Sequence, residues 1–387
     1  MGTKRLLSVT VLASVLVAGC ADVPPEGAGS PGVSPPPRTS GSPSATQQPT
    51  TPSPSEPDPS NTLTPGTKPP AAAPVGRTFP ARLPNGKPPL FVVVSFDGAG
   101  DLVLWSRWRT IAQQTNARMT FFLSGPYLYP EKYKTDYRPP RLKPGASDIG
   151  WGDPDKVLRR AAVLRQAIAE GHEIGTHANG HFCGTKGINS WTAVQWKSEL
   201  AAFDRMVTSG PTLAAGKPLA APFDPSTVEG MRTPCLEGNR TAYRQVMRER
   251  GMQYDASEPG YIAWPKKEDG LWNFPLQSVK LAGTGRTTLT MDYNLWYAQN
   301  KAREAPAAQA PKLKAQVLAT YRSALAGSRA AGNPPLFLGN HFNRWNNSVY
   351  SDAMQAFVKE TCTQPDVRCV SNSELVSWLQ KNGVPKS

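Results

Sequence analysis

Acidic residues are in short supply in this 387-residue chain: 29 Asp and Glu stand against 43 Lys and Arg, for a net charge of +14. No internal repeat, coiled-coil heptad or pair of CxxC knuckles is present, and the last absence argues against a four-thiolate zinc site. Histidine is rarer still, with four residues, and cysteine has five. Hydrophobic residues make up 39% and charged residues 19%, which excludes both a fully disordered chain and a multi-span membrane protein. The 40 prolines suggest low complexity, yet 16 of them fall between Ala21 and Gly76, a stretch almost without aromatic or β-branched apolar residues. The rest has ordinary globular composition.

The N-terminus sets the expected compartment. Lys4 and Arg5 precede an apolar run from Leu6 to Ala18, too short to cross a bilayer as a permanent helix and patterned as a secretory signal. It ends in Val17-Ala18-Gly19-Cys20, which resembles a bacterial lipobox and implies a signal over 1–20 with a lipid on Cys20. Residues 21–76, dominated by Pro, Ser, Thr, Gly and Ala, cannot bury enough apolar surface to offset their ordering entropy and read as a disordered, extended tether. At roughly 3 Å per residue in polyproline-like form, such a tether reaches well over 100 Å. The expectation is a domain over 77–387 held at the extracellular face of the cell membrane. Residues 1–76 are charge-balanced, so the whole +14 falls on that domain. It suits an anionic surface such as wall polymers or phospholipid head groups, or a basic shell kept for solubility; nucleic acid is a poor partner for an exported chain.

With Cys20 assigned to lipid, Cys183, Cys235, Cys362 and Cys369 remain, an even number in an oxidising compartment, so two disulfides are expected. Three pairings are open. The short spacing of Cys362 and Cys369 favours a local bridge, leaving Cys183 with Cys235.

Strand and helix patterns alternate along the domain. Leu90 to Phe96 reads as a strand buried on both faces, Met119 to Leu123, His172 to Thr176, Met252 to Asp255 and Leu336 to Leu338 as further strands, and another ends near Arg232. Trp272 to Leu276 and Thr288 to Asp292 also read as strands. Helical spacing follows Leu104-Trp105-Trp108, Val157-Leu158-Ala161 and Trp196-Leu200-Phe203, then Thr241 to Glu249 and Leu313 to Ala330. The capping box Ser371-Asn-Ser-Glu374 opens a last helix. Repeated strand–helix units predict an α/β fold with a parallel sheet, and this many predict a barrel, with 126–153, 209–227 and 258–270 as long loops decorating one end.

Three of the four histidines lie within ten residues, in His172-Glu-Ile-Gly-Thr-His177-Ala-Asn-Gly-His181. His177 closes a strand and Gly180 turns the chain back, so two imidazoles can converge on one divalent cation. Other polar residues also close strands: Asp97, Arg232, Asp255 or Asp292, and His341. A barrel collects these on one rim.

These residues resemble the NodB-type polysaccharide deacetylases of carbohydrate esterase family four. Ser95-Phe96-Asp97-Gly98 is similar to the family's first motif, His177-Ala-Asn-Gly-His181 to the second, Arg232-Thr-Pro234 to the third and Leu338-Gly-Asn-His341 to the last. The resemblance covers about Pro88 to Asp255 and resumes near Pro335. It implies a deformed (β/α) barrel, a divalent metal, zinc above all with cobalt or nickel as substitutes, and hydrolysis of N-acetyl groups on a polysaccharide. His177 and His181 correspond to metal ligands, Asp97 to the catalytic base, Arg232 to the residue that orients it, and His341 to the general acid, with Asp255 and Asp292 as candidate partners. The family's second aspartate falls on Gly98, so the oxygen ligand is open between Asp101, Asp97 and no metal at all. Trp345 and Pro234 are expected at the substrate, Trp151, Trp264 and Trp296 near the rim, and His172 in a structural role. A non-catalytic glycan-binding protein and an O-acetyl esterase are the alternatives.

Overall fold

The computed structural model describes residues 77–385; Cys20, the signal and the tether lie outside the described residues. Strand β1 (Leu90–Gly98) carries Val92-Val93-Val94 and is buried over all but its last residue, as a central strand covered on both faces must be. Asp101 caps α1 (Leu102–Thr115), which returns to β2 (Thr120–Leu123). Asp153 caps α2 (Pro154–Ala169), with proline preset in the first turn, before β3 (Glu173–Thr176). A Thr192/Gln195 capping box starts α3 (Ala193–Ala215), β4 (Gly230–Met231) follows, and Asn239 caps α4 (Arg240–Glu249) before β5 (Tyr254–Asp255). Short strands β6 (Pro259–Gly260), β7 (Lys267–Glu268), β8 (Leu271–Asn273), β9 (Leu276–Lys280) and β10 (Thr287–Leu289) lead to α5 (Asp292–Asn300) and α6 (Ala310–Ala330). The chain ends with β11 (Leu336–His341), α7 (Trp345–Thr361), β12 (Val367–Val370) and α8 (Asn372–Asn382), the last opened by the expected Ser371/Glu374 box.

Strands β6, β9 and β10 form a small sheet in the order β10-β9-β6, and the others form a curled sheet in the order β11-β1-β2-β3-β4-β5-β8-β7, with β12 against the first half of β1. All its pairs are parallel except β7 with β8. This is the expected α/β barrel, and its deformation has a local cause. Between β9 and β11 a side chain takes the place of a ladder: Gln277 donates Nε2–H to the Pro335 carbonyl (2.8 Å) and accepts from the Phe337 N–H (3.1 Å). Thr290 donates its hydroxyl to the Phe337 carbonyl (2.7 Å), and the Gly339 N–H donates to the Thr290 carbonyl (2.8 Å). Gln277 is fully buried. Replacing it with Ala would leave a buried donor and a buried acceptor unpaired, at about 1–3 kcal/mol each. A drop of about 2–5 kcal/mol in unfolding free energy, read from denaturant midpoints, is the expected result.

Alternation along the strands sorts the core into two sets. Phe91 and Val93 of β1, Phe122, Tyr254, Phe274 and Phe337 face the barrel interior with Leu375, Trp378 and Leu379 of α8, which plugs the N-terminal end of the strands. Val92, Val94, Phe96, Phe121, Leu336 and Leu338 point outward beneath the helices. Continuing the inward parity of β1 and β11 past their apolar residues arrives at Asp97 and His341, which are register partners. The site is the open end of the same stack whose other end is sealed by α8.

Several expectations need correction. The stretch 209–227 is not all loop: α3 runs to Ala215, and Gly210 lets the Leu128 carbonyl come within 1.8 Å of where a Cβ would sit. Trp272 to Leu276 is two strands, β8 and β9, parted at Pro275, which has no N–H for a ladder. The strand expected to reach Asp292 stops at Leu289, and Asp292 opens α5 instead. Trp264 is not at the rim but stacks on Trp378 at the plugged end, with ring centres 5.8 Å apart. Helices α5 and α7 and strand β12 were not foreseen. Among the described residues no helix is long and apolar enough to cross a membrane.

Candidate active site

Asp97 and Arg232 meet at the open end of the barrel. The Arg232 guanidinium donates to Asp97 Oδ1 at 2.8 Å and to the Ala256 carbonyl at 3.0 Å, and it lies 4.6 Å from the centre of the Phe122 ring. Both side chains are buried, at 4% and 2% exposure. Burial alone would push the Asp97 carboxyl up, but Arg232, His177 and His341 outweigh it and hold the carboxyl below its ordinary value. Asp97 is therefore ionised at neutral pH.

His177 follows β3, and its Nδ1 donates to the Arg232 carbonyl at 2.8 Å, which leaves Nε2 as the lone-pair nitrogen. That Nε2 is buried and has no hydrogen-bond partner among the described residues. The chain then turns through left-handed Ala178 and His181, bringing the His181 ring centre to 5.3 Å from that of His177. Burial, helped by His341 and opposed by Asp97, lowers the proton affinity of both imidazoles, and His177 adds to the effect on His181, which falls to about 3. Two neutral imidazoles, one with an orphaned buried lone pair, are a donor set that a borderline cation such as zinc accepts.

Asp101, one of the oxygen donors the sequence leaves open, accepts from the Val103 and Leu104 N–H groups with Oδ1 and from Arg344 with Oδ2, so that in this structure it caps α1. Gly98, where the resemblance places a second aspartate, has φ +84°, and a Cβ there would lie 3.5 Å from the Tyr127 ring. An aspartate at 98 would be strained in that conformation. Among the described residues, the three potential ligands whose donor atoms come within 4.8 Å of one another are His181, Cys183 and Cys235, and the two sulfurs are joined as a disulfide. Replacing Asp101 with Ala is expected to cost about 1 kcal/mol, as loss of a helix cap, and to leave metal content by elemental analysis unchanged.

His341 ends β11. Its Nδ1 bonds Asp292 Oδ1 at 2.7 Å, and its backbone N–H donates to Oδ2 at 2.8 Å, so one carboxylate grips both ring and backbone. Burial works against the imidazolium, but Asp292 and then Asp97 prevail and raise the His341 proton affinity. Nε2 is left for the site. Asp255, the other candidate partner, is committed elsewhere: it accepts from Arg244 (2.6 Å), Tyr243 (3.1 Å) and the Ser257 N–H (2.9 Å).

Trp345 lies 4.9 Å from His341, ring centre to ring centre, and 5.4 Å from Trp296, with Tyr293 completing an aromatic wall. Three consecutive left-handed residues, Asn346, Asn347 and Ser348, shape the turn behind it. Pro234 is buried at the start of a tight turn and has no open surface for a substrate. Trp151 packs against Tyr129 and Tyr137. His172 accepts the Met119 N–H at 3.1 Å deep in the fold, a structural placement. The two disulfides are Cys183–Cys235, with Cα atoms 6.1 Å apart, and Cys362–Cys369, at 5.5 Å. The first staples the loop after His181 to the loop after Arg232.

One supporting residue escaped the sequence reading. Glu199 of α3 is buried and accepts from the Asn179 N–H (3.0 Å) and from the Tyr137 hydroxyl (2.8 Å), clamping the turn between His177 and His181. Burial lifts its carboxyl to about 7. The signal was present in the sequence, since Glu199 lies in the apolar stripe with Trp196, Leu200 and Phe203, where a charge demands a partner.

No protein-family model matches the chain, and no curated protein matches it. Among solved structures, it is similar to a presumptive polysaccharide deacetylase from Mycobacterium smegmatis at 18% identity and TM-score 0.49, covering 80% of this chain and 96% of that one. A second, from Pseudomonas aeruginosa, has 14% identity and TM-score 0.46, over 75% and 91%. The PuuE allantoinase has 15% identity and TM-score 0.47, over 81% and 98%. Two of these three are described as polysaccharide deacetylases and the third as an allantoinase, and a further solved structure to which the chain is similar, from Bacillus anthracis at 10% identity and TM-score 0.39, over 74% of this chain and 66% of that one, is described as a CE4 family pseudoenzyme.

Proposed function

We propose that this protein is a hydrolase that removes acetyl groups from the amide nitrogens of a polysaccharide, working from the extracellular face of a membrane to which Cys20 and the 21–76 tether hold it. One observation carries the reading: Asp97, paired with Arg232, and His341, whose proton affinity Asp292 raises, are register partners on adjacent strands, beside two imidazoles of lowered proton affinity. That is an acid and a base pushed apart in proton affinity by their surroundings and set side by side at the ends of paired strands.

Amide hydrolysis needs a water made nucleophilic, a carbonyl oxygen stabilised as it gains charge, and a proton for the departing nitrogen. Asp97 takes the proton of the attacking water, with Arg232 fixing its carboxylate in place. His341 Nε2–H protonates the nitrogen as the C–N bond breaks, and acetate and a free amine leave. A divalent cation, when bound, would be held by His177 Nε2 and His181 and would supply Lewis-acid polarisation and a more acidic water. Trp345, half-buried and backed by the buried Trp296, offers a face on which a sugar ring can stack.

Gly98 in place of a carboxylate favours a second reading, a glycan-binding protein without turnover. Acetate release from N-acetylglucosamine oligomers, with and without added zinc or cobalt, separates the two. Release carries the hydrolase; binding with no release under any metal condition carries the alternative. O-acetylated chains in the same assay test for an esterase.

A further inference from the structure

The residue that follows β2, Ser124, is still extended, with φ −91° and ψ 125°, so the alternation of the strand runs through it. Phe121 and Leu123 belong to the outer core, whereas Phe122 faces the barrel interior beneath the Arg232 guanidinium. The Ser124 side chain therefore shares the inward face with Phe122, one layer nearer the open end. Its backbone is tied on both sides. The Ser124 N–H donates to the Gly98 carbonyl at 3.1 Å, next to Asp97, and the Gly125 N–H donates to the Ala178 carbonyl at 3.1 Å, next to His177. Leu123 is the register partner of Thr176, and its carbonyl accepts from the His177 N–H at 2.8 Å, so one step further along both strands Ser124 stands level with His177. Neighbouring strands lie about 4.8 Å apart, which makes these two inward side chains neighbours.

Ser124 is 1% exposed, and its Oγ, like His177 Nε2, has no hydrogen-bond partner among the described residues. A serine in front of a helical turn commonly caps it, but the side chain of Ser124 makes no such bond to the turn over 125–128. Leaving a buried hydroxyl unpaired costs about 1–3 kcal/mol, which a residue kept only to fill space would avoid as alanine. A nitrogen and an oxygen with free lone pairs, level with each other on one inward face, are a donor pair for a cation. We propose that Ser124 Oγ is the oxygen donor to the cation held by His177 and His181, in place of the carboxylate that Gly98 does not supply. The proposal rests on the metal-binding part of the hydrolase reading above and names the ligand which that reading leaves open. A hydroxyl brings no negative charge, so the cation is held more loosely than a carboxylate would hold it, and a carboxylate placed at 124 tightens it.

The test uses the full chain, with zinc and cobalt affinities measured by competition against a chromogenic chelator. Ser124→Ala should weaken binding of both cations about 10–100-fold, and Ser124→Asp should tighten it about tenfold over the wild type. Ser124→Cys, loaded with cobalt, should show a thiolate-to-cobalt charge-transfer band that the wild type lacks, because only a side chain that reaches the cation can produce one. One free thiol per chain in that variant shows that both disulfides are intact. A wild type that binds neither cation would overturn the proposal. So would wild-type affinity in a folded Ser124→Ala variant, or a Ser124→Cys variant with intact disulfides and bound cobalt but no such band. If one of these two variants fails to fold or to keep its disulfides, the other decides. Acetate release is read separately: cation binding that follows residue 124 without any release strikes the proposed reaction and not this ligand, and release with affinity indifferent to residue 124 strikes the ligand alone.

Discussion

Replacing Asp97 with Asn should lower kcat on an N-acetylated oligomer by about 10²–10⁴-fold, the usual contribution of a placed general base. It should also lower stability, by about 3–5 kcal/mol, since Arg232 at 2% exposure would lose its acidic partner. The double effect is diagnostic. A base that served catalysis alone would leave the denaturant midpoint untouched, and an ion pair that served folding alone would leave kcat intact. The pH dependence has a definite sign. Because the folded carboxyl is held below its ordinary value of 3.8, its stabilisation is present above that value and is lost as the pH falls through the folded one. The wild type should therefore show an acid limb in stability that the Asn variant lacks. Wild-type turnover in the variant would remove Asp97 from the reaction.

Replacing Asp292 with Asn should cost about 10²-fold in kcat and move the alkaline limb of the pH–rate profile to lower pH. The reason is geometric as well as electrostatic, since one carboxylate holds both the ring and the backbone N–H of His341. Its charge raises the imidazole's proton affinity above the ordinary 6.5, so His341 stays protonated further into the alkaline range. The linked stability is fully present below 6.5 and fades as the pH rises through the folded value, and the variant should lose that slope. A limb that stays in place would mean that His341 is not the acid. The same change at Asp255 should leave the limb where it is, because Asp255 answers to Arg244 and Tyr243 instead.

Much of the site could be read from residue order because each part depends on one strand and the turn after it. The inward parity of β1 carries Phe91, Val93 and Asp97 on one face, and the spacing of His177 and His181 across Gly180 brings two imidazoles together within one loop. The choice between Asp255 and Asp292 could not be read, since both stand at the end of a strand-like pattern. Ring closure makes it: Met291 bridges Gly339, which delivers Asp292 to β11. The cap role of Asp101 could not be read for a similar reason. In sequence it is the next carboxylate after Gly98, but in the fold the two N–H groups of α1 and Arg344 use its oxygens first.

By itself, then, the order of amino acids determined an alternating α/β domain, the face of each strand on which its polar last residue falls, and the cysteines free to pair. Those follow from period-two alternation, helical spacing and composition, which act over a few residues. Only the closed barrel decided which carboxylate serves His341, that Gly98 is a left-handed turn under Tyr127, and that Glu199 braces the histidine turn. Each of these depends on contacts between segments distant in the chain, and such contacts exist only once the sheet has curled and Gln277 has tied β9 to β11.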